Sequence, residues 1–254
     1  MTYAYQTEKD DFMKLVIIRH GDPNYEIDSL TKKGWKEAEI LSHKISRMKV
    51  DDFYVSPLGR AKDTASFTLK AMNREAKECP WLREFHAPVL DEKTGERRIP
   101  WDMLPADWTA VPEYYDKDKW HTTSLMKSGN VSEEAKRVYE GLDGILKEHG
   151  YVREGNYYRA VKPNRDTVVL FCHFGVECVM LGYLLGISPV ILWHGFCAAP
   201  TSVTTLYTEE RREGIAYFRM NSFGDTSHLY AENEEPAFAA RFCETYDNFD
   251  ERHD

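Results

Sequence analysis

The chain has 254 residues, and its 33 Lys and Arg residues against 42 Asp and Glu residues give a formal net charge of −9. An acidic surface repels nucleic-acid phosphates and anionic membranes, so neither is expected as a partner. The hydrophobic content of 42% is ample for a packed core, and the length suits one large domain. We therefore expect a single domain over residues 1–254.

The chain start and its most apolar stretch bear on location. The N-terminal residues are acidic and polar, where a signal peptide would have a basic start and an apolar run. The stretch from Cys178 to Trp193 is broken by glycines and a proline, and it falls short of the roughly 20 continuous apolar residues that cross a bilayer. These features predict a cytoplasmic protein.

Short apolar runs alternate with helical patterns in the first half of the chain, which indicates a sheet covered by helices. The expected elements are a strand at Lys14–Ile18, a helix capped by Thr31, a strand at Phe53–Val55, a helix over 59–72 and an extended segment that begins at Trp81. Residues 94–130 then lack periodicity and interleave prolines with tryptophans and tyrosines. We interpret them as an insertion that forms either a satellite core or a lid over the substrate.

The second half continues the alternation. The expected elements are a helix from Ser132 to near Gly150, a hairpin at 152–161, a strand at Thr167–Cys172, a helix at Gly175–Leu185 and two edge strands at Ser202–Thr208 and Gly214–Met220. The pattern predicts an α/β three-layer sandwich with a mostly parallel central sheet, in which the last strands can be antiparallel. The acidic tail 232–254 either packs as a helix or makes a subunit contact, which leaves a homodimer open.

In open α/β sheets, ligands bind beyond the carboxyl ends of the strands. Four segments at such positions carry charged or imidazole side chains: Arg19-His20-Gly21, Arg60, Glu84 and His173-Phe174-Gly175. Two arginines can surround a phosphoryl group with positive charge, and a neutral imidazole is a nucleophile near pH 7. A carboxyl group can protonate the departing oxygen and afterwards activate water. The set therefore points to phosphoryl transfer.

These segments, taken in order, resemble the histidine phosphatase (phosphoglycerate mutase-like) superfamily. The resemblance rests on LVIIRHG at 15–21, LTKKG at 30–34, SPLGRAKDTA at 56–65, LRE at 82–84 and VLFCHFG at 169–175. It extends from Lys14 to Met220 apart from the insertion, and it implies the phosphoglycerate mutase-like fold. Because Phe174 follows the second histidine where another branch has an aspartate, the resemblance favours the branch with a glutamate as proton donor.

The resemblance also implies roles for individual residues. His20 would become a phosphohistidine, Arg19, Arg60 and His173 would hold the phosphoryl oxygens, and Glu84 would be the proton donor. Three nearby carboxylates remain alternatives to Glu84: Glu92, Glu96 and Asp102.

Further positions would shape the substrate pocket. Asn24, and Thr201 or Ser202, loosely match polar positions of the family. Phe174, in place of a frequent glycine, and Gly175 would also contact the substrate.

The predicted function is a phosphomonoesterase of the metal-independent histidine acid phosphatase type, which needs no cofactor. The chain has no HExxH or CxxC pair that would indicate a metal site. The aromatic insertion favours a small phosphorylated metabolite with an apolar or ring-bearing portion. The alternatives are a phosphoglycerate mutase-like phosphotransferase and a protein that only binds a phosphorylated ligand.

Overall fold

The computed structural model describes residues 12–92 and 95–237, which contain one large sheet and two short strand pairs. The strands are β1 (Lys14–Arg19), β2 (Pro23–Asn24), β3 (Ser29–Leu30), β4 (Asp52–Val55), β5 (Lys77–Glu78), β6 (Val89–Leu90), β7 (Arg97–Arg98), β8 (Tyr151–Glu154), β9 (Tyr157–Ala160), β10 (Thr167–Cys172), β11 (Val203–Arg212) and β12 (Ile215–Asp225). The helices are α1 (Lys32–Ile45), α2 (Gly59–Met72), α3 (Pro105–Trp108), α4 (Ser124–Lys127), α5 (Val131–Glu148), α6 (Phe174–Leu185), α7 (Pro189–Gly195) and α8 (Ser227–Ala231). Short 3-10 helices lie at Pro80–Leu82 and Pro112–Tyr115.

The large sheet has the strand order β5-β4-β10-β1-β11-β12-β9-β8. Strands β5, β4, β10 and β1 pair in parallel, and the remaining pairs are antiparallel. The α/β fold with helices around a central sheet is confirmed, as are the antiparallel last strands. The antiparallel half is larger than expected because the hairpin β8–β9 joins the same sheet.

Successive residues of β1 point to opposite faces of the sheet and pack into two different core clusters. Leu15 and Ile17 face a large cluster with α5 and α6, whereas Val16 and Ile18 face a second cluster with α1 and α2. Helix α6 is buried along almost its whole length. The sheet therefore lies between two helical layers.

Two local expectations differ from the structure. The extended segment at Trp81 is wrong, because Pro80 presets a helical φ and the Leu82 N–H donates to the Cys79 carbonyl at 2.9 Å, which forms a 3-10 turn. Helix α5 begins at Val131, one residue before Ser132, with Asn130 at the cap position. The acidic first turn of that helix is as expected.

The insertion contains more regular structure than the sequence predicts, since β7, α3, a 3-10 helix and α4 lie within it. Trp120 is fully buried and packs edge-on against Trp193 of α7, with ring centroids 5.4 Å apart. Trp108 stacks on His194 of the same helix at 5.3 Å. These rings belong to the main core and do not form a separate cluster.

The predictions about the N-terminus and about most of the acidic tail concern residues that the structure does not describe. The N-terminal residues 1–11 and the tail residues 238–254 lie outside the described residues. Among the helices of residues 12–92 and 95–237, none combines the length and apolar character of a bilayer crossing.

Candidate active site

Two histidines meet at the carboxyl ends of neighbouring parallel strands. His20 follows β1 and His173 follows β10, and the pairing of Arg19 with Cys172 brings the two strand ends side by side. The imidazole centroids are 5.0 Å apart. Both side chains are buried. Strand register thus accounts for the predicted convergence of these two histidines.

The His20 ring is held in one orientation. Its Nδ1 lies 2.7 Å from the Gly21 carbonyl oxygen. Because a carbonyl only accepts hydrogen bonds, Nδ1 carries the hydrogen and Nε2 keeps its lone pair. Burial, followed by the charges of Arg19 and Arg60, holds the pKa of His20 well below its usual value. The ring is therefore neutral near pH 7, with Nε2 as the basic atom.

The backbone around His20 is also fixed. The His20 N–H donates to the Cys172 carbonyl at 3.0 Å, and the His20 carbonyl accepts the Thr201 N–H at 3.1 Å. The Gly21 N–H donates to Thr64 Oγ1 at 2.9 Å. A Cβ on Gly21 would lie 2.9 Å from the Gly34 carbonyl oxygen, so glycine is required where this turn meets α1. Hydrogen bonds to three other segments of the chain thus fix the backbone after β1.

Arg19, the last residue of β1, is buried next to His20 in the chain. Its Nη1 donates to the Ala198 carbonyl, and its guanidinium carbon lies 5.7 Å from the centroid of the Phe174 ring. Burial lowers the pKa of Arg19 from its usual value, while the carboxyl groups of Glu84 and Glu177 oppose that shift. An arginine stays charged at neutral pH. Arg19 thus supplies buried positive charge, and the Phe174 ring packs against its guanidinium.

Arg60 lies in the first turn of α2, where a positive charge opposes the helix dipole. The structure places a protein carboxylate beside it: Asp28 Oδ1 lies 2.6 Å from Arg60 Nη1, and Asp28 Oδ2 accepts the Gly59 N–H at 2.7 Å. The Tyr25 ring lies 5.4 Å from the guanidinium carbon. Within the described residues, the buried Nε of Arg60 has no hydrogen-bond partner. A phosphoryl group would therefore share Arg60 with Asp28.

His173 is oriented by a serine. The Ser56 Oγ lies 2.7 Å from His173 Nε2 and also accepts the Leu58 N–H at 3.2 Å. The Nδ1 of His173 has no hydrogen-bond partner in the described part of the chain. Burial, with the positive side chains around it, holds the pKa of His173 well below its usual value. A neutral ring that accepts the Ser56 hydrogen at Nε2 would have an Nδ1–H to donate.

Glu84 binds the N-terminus of α6. Its Oε1 accepts the N–H groups of Phe85 at 2.7 Å and Val176 at 3.0 Å, and its Oε2 accepts the Gly175 N–H at 3.2 Å. Burial raises the pKa of Glu84 above its usual value, and the three backbone hydrogen bonds oppose that rise. The three alternative carboxylates are exposed: Glu92, Glu96 and Asp102.

One tryptophan of the insertion borders this carboxylate. Trp101 Nε1 donates to the Phe85 carbonyl at 3.2 Å, and it lies 3.0 Å from the position that a Cβ on Gly175 would occupy. Trp101 therefore packs at the same helix N-terminus as Glu84. One residue of the insertion thus lies next to Glu84.

Asn24, Thr201 and Ser202, which loosely match polar positions of the family, make different contacts. Asn24 lies in β2, and the hydrogen bond that the structure gives its side chain joins Oδ1 to the Glu26 N–H at 3.2 Å, within its own turn. Ser202 accepts the Arg19 N–H through its carbonyl at 3.2 Å, and Thr201 contacts His20 as described above. Thr201 and Ser202 thus touch the core of the site through their backbone, whereas Asn24 is joined to a neighbouring loop residue.

Three residues of the site went unassigned in the sequence reasoning. Ser56 and Thr64 both lie in the SPLGRAKDTA segment, so that pattern held the signal for them. Asp28 lies in an irregular loop and has no such signal. Within residues 12–92 and 95–237, no three His, Cys, Asp or Glu side chains form a group that could hold a metal ion.

Comparisons with known proteins identify the family of this chain. Residues 15–221 match the profile of the histidine phosphatase superfamily (branch 1). Phosphoserine phosphatase 1 of Hydrogenobacter thermophilus is 26% identical over 231 residues, which cover 87% of this chain and 97% of that protein. A probable phosphoglycerate mutase of Serratia proteamaculans is 28% identical over 147 residues, covering 53% of this chain and 63% of that protein.

Solved structures share the fold. A mycobacterial glucosyl-3-phosphoglycerate phosphatase superposes with a TM-score of 0.59 at 19% identity, over 84% of this chain and 99% of that chain. A mutant phosphoserine phosphatase of Entamoeba histolytica, in complex with phosphoserine, gives 0.56 at 21% identity, over 85% and 99%. The profile match extends over most of the described residues and includes the histidines, the arginines and Glu84. The chain therefore belongs to the histidine phosphatase superfamily.

Proposed function

We propose that the protein is a metal-independent phosphomonoester hydrolase that works through a phosphohistidine at His20. The observation that carries this proposal is the neutral His20 ring, whose Nδ1 is tied to the Gly21 carbonyl and whose pKa is lowered by burial and by two arginines. A ring in that state has a nucleophilic Nε2 in a strongly positive site. Superfamily membership supports the same chemistry.

In the first step, His20 Nε2 attacks phosphorus and the bond from phosphorus to the ester oxygen breaks. Arg19, Arg60 and His173 stabilise the charge on the phosphoryl oxygens. Protonated Glu84 gives its proton to the departing oxygen, so the alcohol leaves neutral. The raised pKa of Glu84 supports this role, because it increases the protonated fraction near neutral pH.

In the second step, water attacks the phosphorus of the phosphohistidine. Glu84, now ionised, accepts a proton from that water, and the N–P bond breaks with its electron pair returning to His20 Nε2. Inorganic phosphate leaves, and both His20 and Glu84 return to their starting protonation states. The cycle therefore consumes one ester and one water.

We propose a small phosphorylated metabolite as substrate. Phe174 beside Arg19 and Trp101 beside Glu84 give the site aromatic neighbours, which suits an ester with an apolar or ring-bearing portion. The relatives named for phosphoserine and for glucosyl-3-phosphoglycerate support the class of small esters. Gly175 would contribute by leaving space beside Glu84, and Asn24 would approach the substrate from the loop after β1.

The test is hydrolysis of 4-nitrophenyl phosphate with a chelator present, for the parent protein, His20→Ala and His43→Ala, an exposed histidine of α1. We expect turnover by the parent and by His43→Ala, and loss of about four orders of magnitude or more in His20→Ala. Rapid quenching should trap phosphate on the parent and not on His20→Ala. Turnover by His20→Ala, or loss of parent activity on chelation, would contradict the proposal.

The same experiment separates the alternatives. A phosphotransferase would form the phosphoprotein but pass the group to an added acceptor with little phosphate release. A protein that only binds phosphorylated ligands would bind the ester without forming a phosphoprotein. A cytoplasmic location and a homodimer stay predictions from the sequence.

A further inference from the structure

The C-terminal end of α7 packs against residues that hold Glu84. Trp193 Nε1 donates to the Gly175 carbonyl at 3.0 Å, and the Trp193 ring packs on Phe85 with centroids 5.4 Å apart. Gly175 and Phe85 are two of the three residues whose N–H groups bind the Glu84 carboxyl group. These contacts fix the end of α7 relative to Glu84.

The next residue of α7, His194, joins this helix to the insertion. Its Nδ1 lies 2.7 Å from the Val190 carbonyl oxygen, so Nδ1 carries the hydrogen and Nε2 keeps its lone pair. That lone pair accepts the Met103 N–H at 3.0 Å. The Trp108 ring stacks on the same imidazole, with an angle of 26° between the two planes. His194 thus binds the insertion both by a hydrogen bond and by a ring contact.

Trp101, two residues before Met103, brings the insertion to Glu84. Its Nε1 donates to the carbonyl of Phe85, the residue that follows Glu84, at 3.2 Å. The same nitrogen lies 3.0 Å from the position of a Cβ on Gly175, and that position is 2.6 Å from Glu84 Oε1. Trp101 therefore fills space beside the carboxyl group that water would otherwise occupy.

Burial is the main reason why the pKa of Glu84 is raised, and it outweighs the three backbone hydrogen bonds and the charge of Arg19. The ionisable side chains around this carboxyl group come from β1, β10 and α6: Arg19, Cys172, Glu177 and Cys178. His194 is neutral near pH 7, because burial lowers its pKa and the charge of Arg98 adds to that effect. Replacing His194 by a neutral side chain therefore leaves the charges around Glu84 in place and changes only its access to water.

We propose that His194 is a positioning residue that holds residues 100–103 of the insertion, here called the Trp101 segment, against Glu84 and so keeps water from this carboxyl group. The inference rests on the proposed function for the role of Glu84 as proton donor, whereas the docking of the segment does not depend on it. A carboxyl group keeps its proton near neutral pH only where water is largely excluded. Without an acceptor for the Met103 N–H, the Trp101 segment separates from α7 more often, and Glu84 becomes hydrated.

The test compares the parent with His194→Phe, His194→Gln and His121→Phe by NMR on protein labelled with ¹⁵N and ¹³C. His194→Phe keeps a ring against Trp108 but lacks the acceptor for Met103. We expect the Trp101 indole N–H to exchange with solvent about tenfold faster in this variant, and the carboxyl carbon of Glu84 to titrate at lower pH. A glutamine oxygen can accept the Met103 N–H, so His194→Gln should restore part of both effects.

His121→Phe is the matched control. His121 also lies in the insertion, but its Nδ1 is 2.8 Å from Ser132 Oγ of α5, so the same substitution there breaks a bond that does not involve the Trp101 segment. Exchange at Trp101 and the titration of Glu84 should stay as in the parent.

Kinetics give a functional measure of the same effect. In the pH profile of kcat/KM for an alkyl phosphate, the basic limb should move to lower pH in His194→Phe. A fall of one pH unit in the pKa of Glu84 lowers the protonated fraction, and with it kcat/KM, by about tenfold at pH values above that pKa. The fall should be smaller for 4-nitrophenyl phosphate, whose leaving group needs no proton.

Three outcomes would overturn the inference. Unchanged exchange at Trp101 in His194→Phe would show that the histidine does not hold the segment. Faster exchange with an unchanged titration of Glu84 would show that the segment does not shield the carboxyl group, and equal effects in His121→Phe would show a general loosening of the insertion. If His194→Phe does not fold, His194→Ala gives the same reading. An inactive parent would contradict the proposed function alone, because exchange and titration are measured without turnover.

Discussion

The Cβ that an alanine would place at Gly175 lies 2.6 Å from Oε1 of Glu84, closer than any van der Waals contact. Glu84 reaches the N–H groups at the start of α6 only because residue 175 has no side chain. The same position lies 3.0 Å from Nε1 of Trp101, so a Cβ there would be too close to two side chains. Gly175 therefore contributes to the site by the space that it leaves, and Glu84 depends on it.

Gly175→Ala should displace Glu84 and lower kcat by about tenfold or more, since small misplacement of a catalytic group is costly. Gly144→Ala on α5 is the matched control, because a Cβ there meets no atom within 4 Å. That control should keep its activity and gain roughly 0.5–1 kcal/mol of stability as a helical alanine. The measurement is kcat with the melting temperature for both variants. Parent-like kcat in Gly175→Ala would show that Glu84 does not need its present position.

Glu84→Gln tests the proton donor through leaving groups. An alkyl phosphate needs its oxygen protonated, so we expect kcat/KM, which reports ester cleavage and not the later hydrolysis of the phosphohistidine, to fall by about 10²–10⁴-fold. The kcat/KM for 4-nitrophenyl phosphate should fall less because its leaving group is a stable anion. Protonated Glu84 is the active form, so the rate of ester cleavage falls as pH rises through its raised pKa. That basic limb should disappear in Glu84→Gln. Glu92→Gln, at an exposed carboxylate, should behave as the parent.

Equal losses on both substrates would contradict proton donation by Glu84. So would a pH profile of Glu84→Gln that keeps the basic limb of the parent.

Ser56→Ala removes the hydrogen bond that orients His173, which is 2.7 Å long. With Nε2 left unpaired in a buried place, we expect the folded protein to lose about 1–3 kcal/mol of stability. Because the His173 ring is then no longer held in one orientation, we also expect a weaker Kd for inorganic phosphate and a lower kcat/KM. Ser66→Ala on the exposed side of α2 removes a hydroxyl that bonds only the Asp63 carbonyl at 2.7 Å in the described structure, and it should change neither. Calorimetric titration with phosphate measures the effect. An unchanged phosphate Kd in Ser56→Ala would show that His173 orients without the serine.

The parts of the fold that follow from local pattern were predictable. The run from Lys14 to Ile18 and the run from Thr167 to Cys172 are apolar enough to specify central strands, and the residues directly after them form the site because parallel neighbours end at one edge. Trp81 was misassigned because a single proline at position 80 outweighed the apolar pair that follows it.

The parts of the site that depend on distant contacts were not predictable. The Asp28 carboxylate reaches Arg60 across 32 positions of the chain, from a loop with no regular pattern. A positive charge in the first turn of a helix favours an anion beside it, but the sequence does not distinguish a bound ligand from a protein carboxylate. Gly175 is part of a sequence motif. That a Cβ at this position would collide with Glu84 can be seen only in the three-dimensional structure.

Thr201 holds His20 from a strained backbone conformation. Its φ is 58°, which is unusual for a β-branched residue, and its Oγ1 lies 3.2 Å from Nε2 of the buried His228. His228→Ala leaves the Thr201 hydroxyl unpaired, so we expect kcat to fall several-fold with KM nearly constant, and His228→Gln to restore part of the loss. The measurement is kcat and KM of the parent, His228→Ala and His228→Gln. Equal loss in both variants, or a rise in KM alone, would contradict positioning of His20 through Thr201.

Glu177 on α6 gives a pH-dependent prediction about stability. This side chain is 1% exposed, and burial raises its pKa to about 7 from 4.5. Between those two values the folded protein keeps a proton that the unfolded chain has released, so the free energy of unfolding falls as pH rises through this window. The shift corresponds to about 3 kcal/mol when the window has been crossed.

Glu177→Gln removes this cost while keeping the shape of the side chain. Relative to the parent, we expect the variant to have similar stability at pH 4.5 and higher stability, by up to about 3 kcal/mol, at pH 8. The difference between the two proteins reports Glu177 together with its interactions with Glu84 and Arg19, because groups that do not interact with Glu177 titrate alike in both. Urea unfolding at the two pH values measures it. A stability difference that does not change with pH would show that Glu177 is ionised in the folded protein throughout, with the charge of Arg19 outweighing burial.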